Sequence, residues 1–191
     1  ALQSANQGLY DLNVQTGETI VTPEYARMLG YEPEEFEETN ARWRERLHPD
    51  DRDQVYRVYE EYVAGKRNEY KVEFRQRTKS GGWKWVLSMG RIVSRDEYGN
   101  PLRMLGTHTD IDDRKEMERS LRESEETFRR LFLSHPQPLC IYDSETLGFL
   151  AVNDATVDKY GYSREELLAM TIKDIRPPAE IPRLLEKVST R

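Results

Sequence analysis

The apolar positions of the chain change period several times in its first hundred residues, and each change marks an element. Leu9 to Leu12 and Glu18 to Thr22 read as short strands joined across Asn13-Val14-Gln15-Thr16-Gly17, a hairpin with glycine at the turn. Pro23 to Leu29 and Pro33 to Glu38 read as short helices. From Asp50, placed as an N-cap, Val55, Val58, Tyr59, Tyr62 and Val63 recur at i, i+3, i+4, i+7 and i+8, which predicts an amphipathic helix over 51–64 ended by Gly65. The period then becomes 2. Tyr70, Val72, Phe74 and Gln76 alternate with Lys71, Glu73, Arg75 and Arg77, a strand with one wet face. Turns at Lys79-Ser80-Gly81-Gly82 and Asp96-Glu97-Tyr98-Gly99-Asn100 lead into strands over Trp83 to Val93 and Leu102 to Ile111. The first of these is apolar or small on both faces, with Trp83, Trp85, Leu87 and Met89 on one and Val86, Ser88, Gly90 and Ile92 on the other. Such a strand is central and covered on both sides; periodicity alone does not say which face lines an interior.

Asp112 and Asp113 then place carboxylates where a helix dipole favours them. Met117, Leu121, Ser124, Phe128 and Leu131 follow at steps of 4, 3, 4 and 3, a heptad seam with one polar member. Two readings fit it: a parallel two-stranded coiled coil that makes a homodimer through Met117, Leu121, Phe128 and Leu131, or a single amphipathic helix lying on a sheet.

The chain also repeats. Residues 25–36 align with 156–167 at an offset of 131, sharing Gly-Tyr, then Glu-Glu, then a large apolar residue (Gly30-Tyr31 and Gly161-Tyr162; Glu34-Glu35 and Glu165-Glu166; Phe36 and Leu167). The second copy stops inside the equivalent of the long helix, with two of five strands, so on sequence grounds it lacks the means to close its own core. The expected domains are 1–113, a linking helix at 114–133, and 134–191 as a truncated second copy.

Composition narrows the function classes. The 191 residues carry a net charge of −6 with no basic face, which disfavours a nucleic-acid partner. Apolar runs of four residues at most exclude a membrane span within the sequence. The one cysteine, Cys140, reads as a small buried residue and leaves a cytoplasmic location as the expectation. His48 before Pro49 reads as a turn that caps the long helix, and His135 before Pro136 as a stop signal. The cluster Glu32, Glu34, Glu35, Glu37 and Glu38 reads as a solvated face. No phosphate loop, dinucleotide fingerprint, nucleophile elbow, metal set or phosphoacceptor histidine is present, so the expectation is a fragment without catalytic residues.

His48-Pro49-Asp50-Asp51-Arg52, Ser80-Gly81-Gly82-Trp83-Lys84-Trp85-Val86 and Gly106-Thr107-His108-Thr109-Asp110-Ile111-Asp112-Asp113-Arg114-Lys115 resemble motifs of the PAS family, the last its PAC segment. Residues 125–132 and Asn153-Asp154-Ala155 resemble the start of another PAS domain. The resemblance implies an α+β fold: a five-stranded antiparallel sheet flanked by short helices and one long helix, then a connecting helix and a partial second copy. It also implies a sensory and dimerisation module of a bacterial signalling protein, such as a multi-PAS sensor histidine kinase or the input region of a diguanylate cyclase or phosphodiesterase. The output domain would belong to the same polypeptide.

On this basis a small-molecule ligand would meet Met28, Tyr59, Tyr62, Phe74, Gln76, Val86, Ser88 and His108, and Asp110, Ile111 and Asp112 would pass a shift of the last strand into the helix. The cofactor is left open. Photoactive flavin is disfavoured because residues 1–113 hold no cysteine, and haem because 51–64 holds no histidine. A constitutive dimerisation module without ligand stays as the alternative.

Overall fold

The structure is a computed structural model that describes residues 7–189. It divides into two compact units, one running to Glu118 and the other from Arg119.

The first unit is built on one antiparallel sheet. Its strands are β1 (Gln7–Asn13), β2 (Glu18–Val21), β3 (Glu38–Thr39), β4 (Tyr70–Arg77), β5 (Trp83–Arg95) and β6 (Pro101–Asp110), in the spatial order β3-β2-β1-β6-β5-β4. The two ends of the chain segment thus meet at the centre, where β1 pairs with β6 from Gln7↔Thr109 to Asn13↔Arg103. Between β2 and β4 lie α1 (Pro23–Met28), a 3-10 turn at Pro33–Glu35, α2 (Asn40–Arg46), a second 3-10 turn at Pro49–Asp51, and α3 (Arg52–Val63). Val55, Val58 and Tyr62 of α3 are buried against the sheet, as the 3.6-residue spacing requires.

Period 2 decides the sheet faces. Tyr70, Val72, Phe74 and Gln76 of β4, Val86 and Ser88 of β5, and Met104 and His108 of β6 are buried, whereas Trp83 and Met89 are exposed. The inner face of β5 is therefore that of Val86 and Ser88. α1 reaches this sheet only because Gly8 has no side chain: a Cβ there would stand 2.4 Å from the Tyr25 Cα.

Several expectations change. A sixth strand, β3, forms a two-residue edge, and α2 occupies a stretch for which no element was expected. The helix expected over 33–38 is a single 3-10 turn, closed by a capping box between Glu32 and Glu35, since Glu38 joins the sheet. Asp50 is not the N-cap of α3: its own N–H donates to His48 Nδ1 at 3.2 Å, and the helix starts at Arg52 after the turn.

One residue, Ile111, separates β6 from α4 (Asp112–Leu133). The second unit takes up this helix from Arg119. It then has β7 (Cys140–Tyr142) antiparallel to β8 (Phe149–Val152), α5 (Asp154–Tyr160), α6 (Arg164–Leu168), a 3-10 turn at Pro178–Glu180, and α7 (Ile181–Ser189). Gly161 ends α5 in the left-handed conformation (φ 74°), and Ser163 with Glu166 makes the capping box of α6. Buried Asn153 holds the entry: its Oδ1 accepts from Leu139 N and Thr156 N, and its Nδ2 donates to the carbonyls of His135 and Gln137. Leu147, Phe149, Val152, Leu167, Ile172 and Leu184 make a core of their own, so the half-copy is not coreless as two strands suggested. Cys140 is half-buried rather than buried. Among the described residues no helix is long and apolar enough to cross a membrane.

Candidate sensory site and its exit helix

Between the sheet's inner face and α1 to α3 lies a cavity of about 40 Å³. Tyr10 and Leu12 from β1, Ser88 from β5, and Met104 and His108 from β6 form its sheet wall; Tyr25, Trp43 and Tyr59 contribute from the helices, with Thr19, Glu38, Asn40 and Tyr70 around them. Ser88 and His108 are register partners across β5 and β6, which sets both side chains on the inner face. Tyr10 finds space in the sheet for a specific reason. Gly90 and Gly106 face each other in register, and a Cβ on either would stand 2.3 Å from the Tyr10 hydroxyl. Two glycines on neighbouring strands thus make the slot that one phenol fills.

The wall is mostly aromatic. His108 stacks on Tyr25 (ring centroids 4.7 Å apart) and meets the edges of Tyr10 (5.2 Å) and Phe74 (5.5 Å). Burial, with the positive charge of Arg46 adding to it, pulls the His108 pKa down to about 3, so the imidazole is neutral. Beside it sits a buried ion pair. Glu38 accepts from Arg46, from the Tyr25 hydroxyl at 3.0 Å and from the Thr39 N–H at 3.0 Å. Burial pushes the Glu38 carboxyl above its ordinary range, against the opposing pull of Arg46. The hydroxyl pKa values of Tyr10 and Tyr25 are likewise raised by burial. Among the described residues, the buried polar side-chain atoms without a hydrogen-bond partner are Trp43 Nε1, Arg44 Nε, Arg46 Nε, Gln76 Oε1 and Nε2, Ser88 Oγ and His108 Nδ1. Ser88 lies beside the Tyr10 and Tyr70 phenols, but not in hydrogen-bonding geometry.

Of the eight residues expected around a ligand, the structure sets Tyr59, Ser88 and His108 on the cavity wall. Phe74, Gln76 and Val86 are fully buried in the surrounding core. The Tyr62 hydroxyl serves the sheet instead, accepting from Ile92 N at 3.0 Å. Met28 is only partly buried and lines a separate surface depression with Lys79 and Lys84. Tyr10, Tyr25, Glu38, Trp43, Tyr70 and Met104 join the wall without having been expected there. Alternation across β1 marks Tyr10 as inward, but Glu38 inside a run of glutamates gave no such signal; it is buried, not solvated, because Arg46 and Tyr25 close over it. His48 makes a turn as expected, but it caps the 3-10 turn at Pro49–Asp51 rather than the long helix, and its ring meets Trp83 edge-on with centroids 4.4 Å apart.

The cavity wall continues into the exit. His108 is two residues before Asp110, the end of β6. Ile111 N donates to Trp85 O at 3.0 Å, Trp85 N donates to Asp112 Oδ1 at 2.8 Å, and Asp112 N donates to Asp110 Oδ1 at 3.0 Å. Lys84 binds both Asp110 and Asp112, while Arg114 and Lys115 bind Glu73 of β4, each at 2.8 Å. The first turn of α4 is therefore fastened to three strands. Along the rest of the helix Met117, Leu121, Phe128 and Leu131 are between 58% and 65% exposed.

Comparison with known proteins places this architecture. The sequence model described as "PAS fold" matches residues 18–108, and one described as "PAS domain" matches 126–189. A crystal structure of a sensory box histidine kinase/response regulator from Burkholderia thailandensis is 37% identical, covers 69% of this chain and 96% of its own, and superposes with a TM-score of 0.60. The chain belongs to the PAS family.

Other PAS relatives are an uncharacterized protein, y4lL, of Sinorhizobium fredii (39% identical over 53% of this chain and 12% of its own) and Sensor protein FixL of Bradyrhizobium diazoefficiens (26% identical over 69% and 26%). The chain therefore spans about a quarter or less of these curated relatives. PAS domains are sensory rather than catalytic modules of signal-transduction proteins. One expectation is corrected by these comparisons. Haem and flavin were disfavoured for want of a helix histidine and a cysteine, and the similar proteins, Sensor protein FixL among them, do not support that exclusion. The missing residues are thus no ground for setting either group aside. The interior as it stands has space for only a few non-hydrogen atoms, so any larger group requires the aromatic wall to open.

Proposed function

We propose that the chain is a cytoplasmic input region of a larger sensor protein, a histidine kinase by its relatives, with residues 1–113 as the sensing domain and 134–191 as the start of a second. A ligand in the cavity shifts the sheet, Asp110, Ile111 and Asp112 hand the shift to α4, and the helix carries it to an output domain of the same polypeptide. The seam of Met117, Leu121, Phe128 and Leu131 pairs with that of a second copy, because four large apolar side chains at heptad spacing are otherwise left in water. Catalysis belongs to the output domain.

The observation that carries this reading is the one-residue junction: with Ile111 bonded to Trp85 and Asp112 fastened to the same strand, β5 has no slack against the helix. The test is hydrogen exchange across 112–124. Enlarging Ser88 to valine should change those rates in the native junction and leave them unchanged once Gly-Ser is inserted after Ile111. Equal responses with and without the insertion would remove the transmission role.

A further inference from the structure

We propose that the cavity of the first PAS domain takes a compact, neutral molecule that both donates and accepts hydrogen bonds, of the size and polarity of a small primary amide. The inference rests on the sensory reading for the site's purpose, and on geometry for the ligand's chemistry.

Three wall residues, Trp43, Ser88 and His108, are more than nine-tenths buried and each carries a polar atom without a partner. Buried polar groups are paired as a rule, and an orphan carries the full cost of its lost hydration. Three around one cavity describe the complement of a guest. An indole N–H only donates, so the guest must accept; a hydroxyl does both, and a neutral imidazole nitrogen does one or the other according to tautomer. Gln76, which lies beside the Tyr25 hydroxyl but not in hydrogen-bonding geometry, adds a second donor and acceptor from the surrounding core.

The same wall selects against charge. Glu38 is already occupied by Arg46, the Tyr25 hydroxyl and the Thr39 N–H, so it offers no counter-charge to a cation; Arg46, whose Nε is buried without a partner, does not line the cavity and so does not face an anion there. An ion entering here would lose its hydration without a partner. Burial keeps His108 neutral, in agreement. The volume of about 40 Å³, against about 10–15 Å³ of such space needed by one water molecule, limits the guest to a few non-hydrogen atoms.

Formamide is the probe, with formate and guanidinium as its charged counterparts. The readout is the His108 ring nitrogens in ¹⁵N-histidine NMR of the whole chain. Formamide should give a saturable shift with a Kd in the millimolar range, the scale allowed to so few atoms. Formate and guanidinium should give none. Ser88→Ala should weaken formamide about tenfold, and Trp43→Phe, tested separately in case one variant fails to fold, similarly. No saturable shift would mean that water alone satisfies these groups, and would overturn the proposal. An equal shift with formate, or formamide binding unchanged in both variants, would overturn it too. Formamide binding that left helix exchange untouched would support this inference while removing the sensory reading, so the two fail separately.

Discussion

The backbone N–H of Trp85 donates to Asp112 Oδ1 at 2.8 Å, so β5, an internal strand of the sheet, is tied to the first residue of the exit helix. A capping carboxylate at a helix start satisfies a free N–H and favours the helix dipole, but here the donor comes from a strand 27 residues away. The carboxylate therefore joins two elements. Lys84 strengthens the joint, and Lys115 lies 5.0 Å from the centre of the Trp85 ring.

Asp112→Ala should loosen that joint at modest cost. The expected loss is about 1 kcal/mol in denaturant unfolding, with faster hydrogen exchange at the Trp85 amide and in the first turn of α4. Unchanged exchange at Trp85 would show that the carboxylate does not hold the strand.

The Glu38–Arg46 pair should behave as a unit. Either Glu38→Leu or Arg46→Met alone strands a charge in a largely buried place and should cost about 3 kcal/mol, whereas the double substitution should cost much less than the two together. Additive losses in a double-mutant cycle would contradict this.

Gly106→Ala should be among the more damaging small substitutions in the sheet. Its Cβ would meet the Met89 carbonyl and the Tyr10 ring at 2.3 Å; the carbonyl cannot withdraw without disturbing the β5–β6 ladder, nor the ring without filling the cavity. A loss of about 2 kcal/mol or more is expected in thermal or chemical unfolding. Gly99→Ala is the informative companion: a Cβ there meets nothing within 4 Å and carries only the strain of φ +85°.

His108 sets a pH dependence. In the unfolded chain it protonates below about 6.5, while in the fold burial holds it neutral down to about 3. The unfolded state thus binds the extra proton, and stability falls as pH drops below about 6.5, at up to about 1.4 kcal/mol per pH unit. Glu38, whose folded pKa is raised, acts in the opposite sense above the ordinary carboxylate range. The difference between wild type and His108→Gln isolates the histidine: the variant should lose less stability between about pH 6 and pH 4.5. Parallel curves would mean that His108 titrates alike in both states.

Alternation and heptad spacing carried the strands, the long helix and the exit helix, because those patterns are local consequences of burial on one face. The inward side of the Trp83–Arg95 strand was not legible that way, because both of its faces are apolar or small; the family resemblance pointed to Ser88 and His108. Glu38 was not legible either, since its burial depends on Tyr25, thirteen residues before it, and Arg46, eight after it, meeting over an edge strand of two residues. The Tyr10 slot was hidden too: Gly90 and Gly106 become its walls only when β5 and β6 pair. The expectation about haem and flavin failed for a different reason. It rested on where known attachment residues sit, and that says nothing of the rest of an interior.

The central claim is that the exit helix pairs with its counterpart and follows the sheet. A spin label at Glu126→Cys, with Cys140→Ser to remove the native thiol, places the probe opposite the apolar seam, and electron–electron distance measurements then read the spacing between two chains. A single narrow distance is expected, displaced by Ser88→Val and abolished by Phe128→Glu. Absence of any interchain distance at concentrations where the chain is folded, or a distance indifferent to Phe128→Glu, would contradict the account.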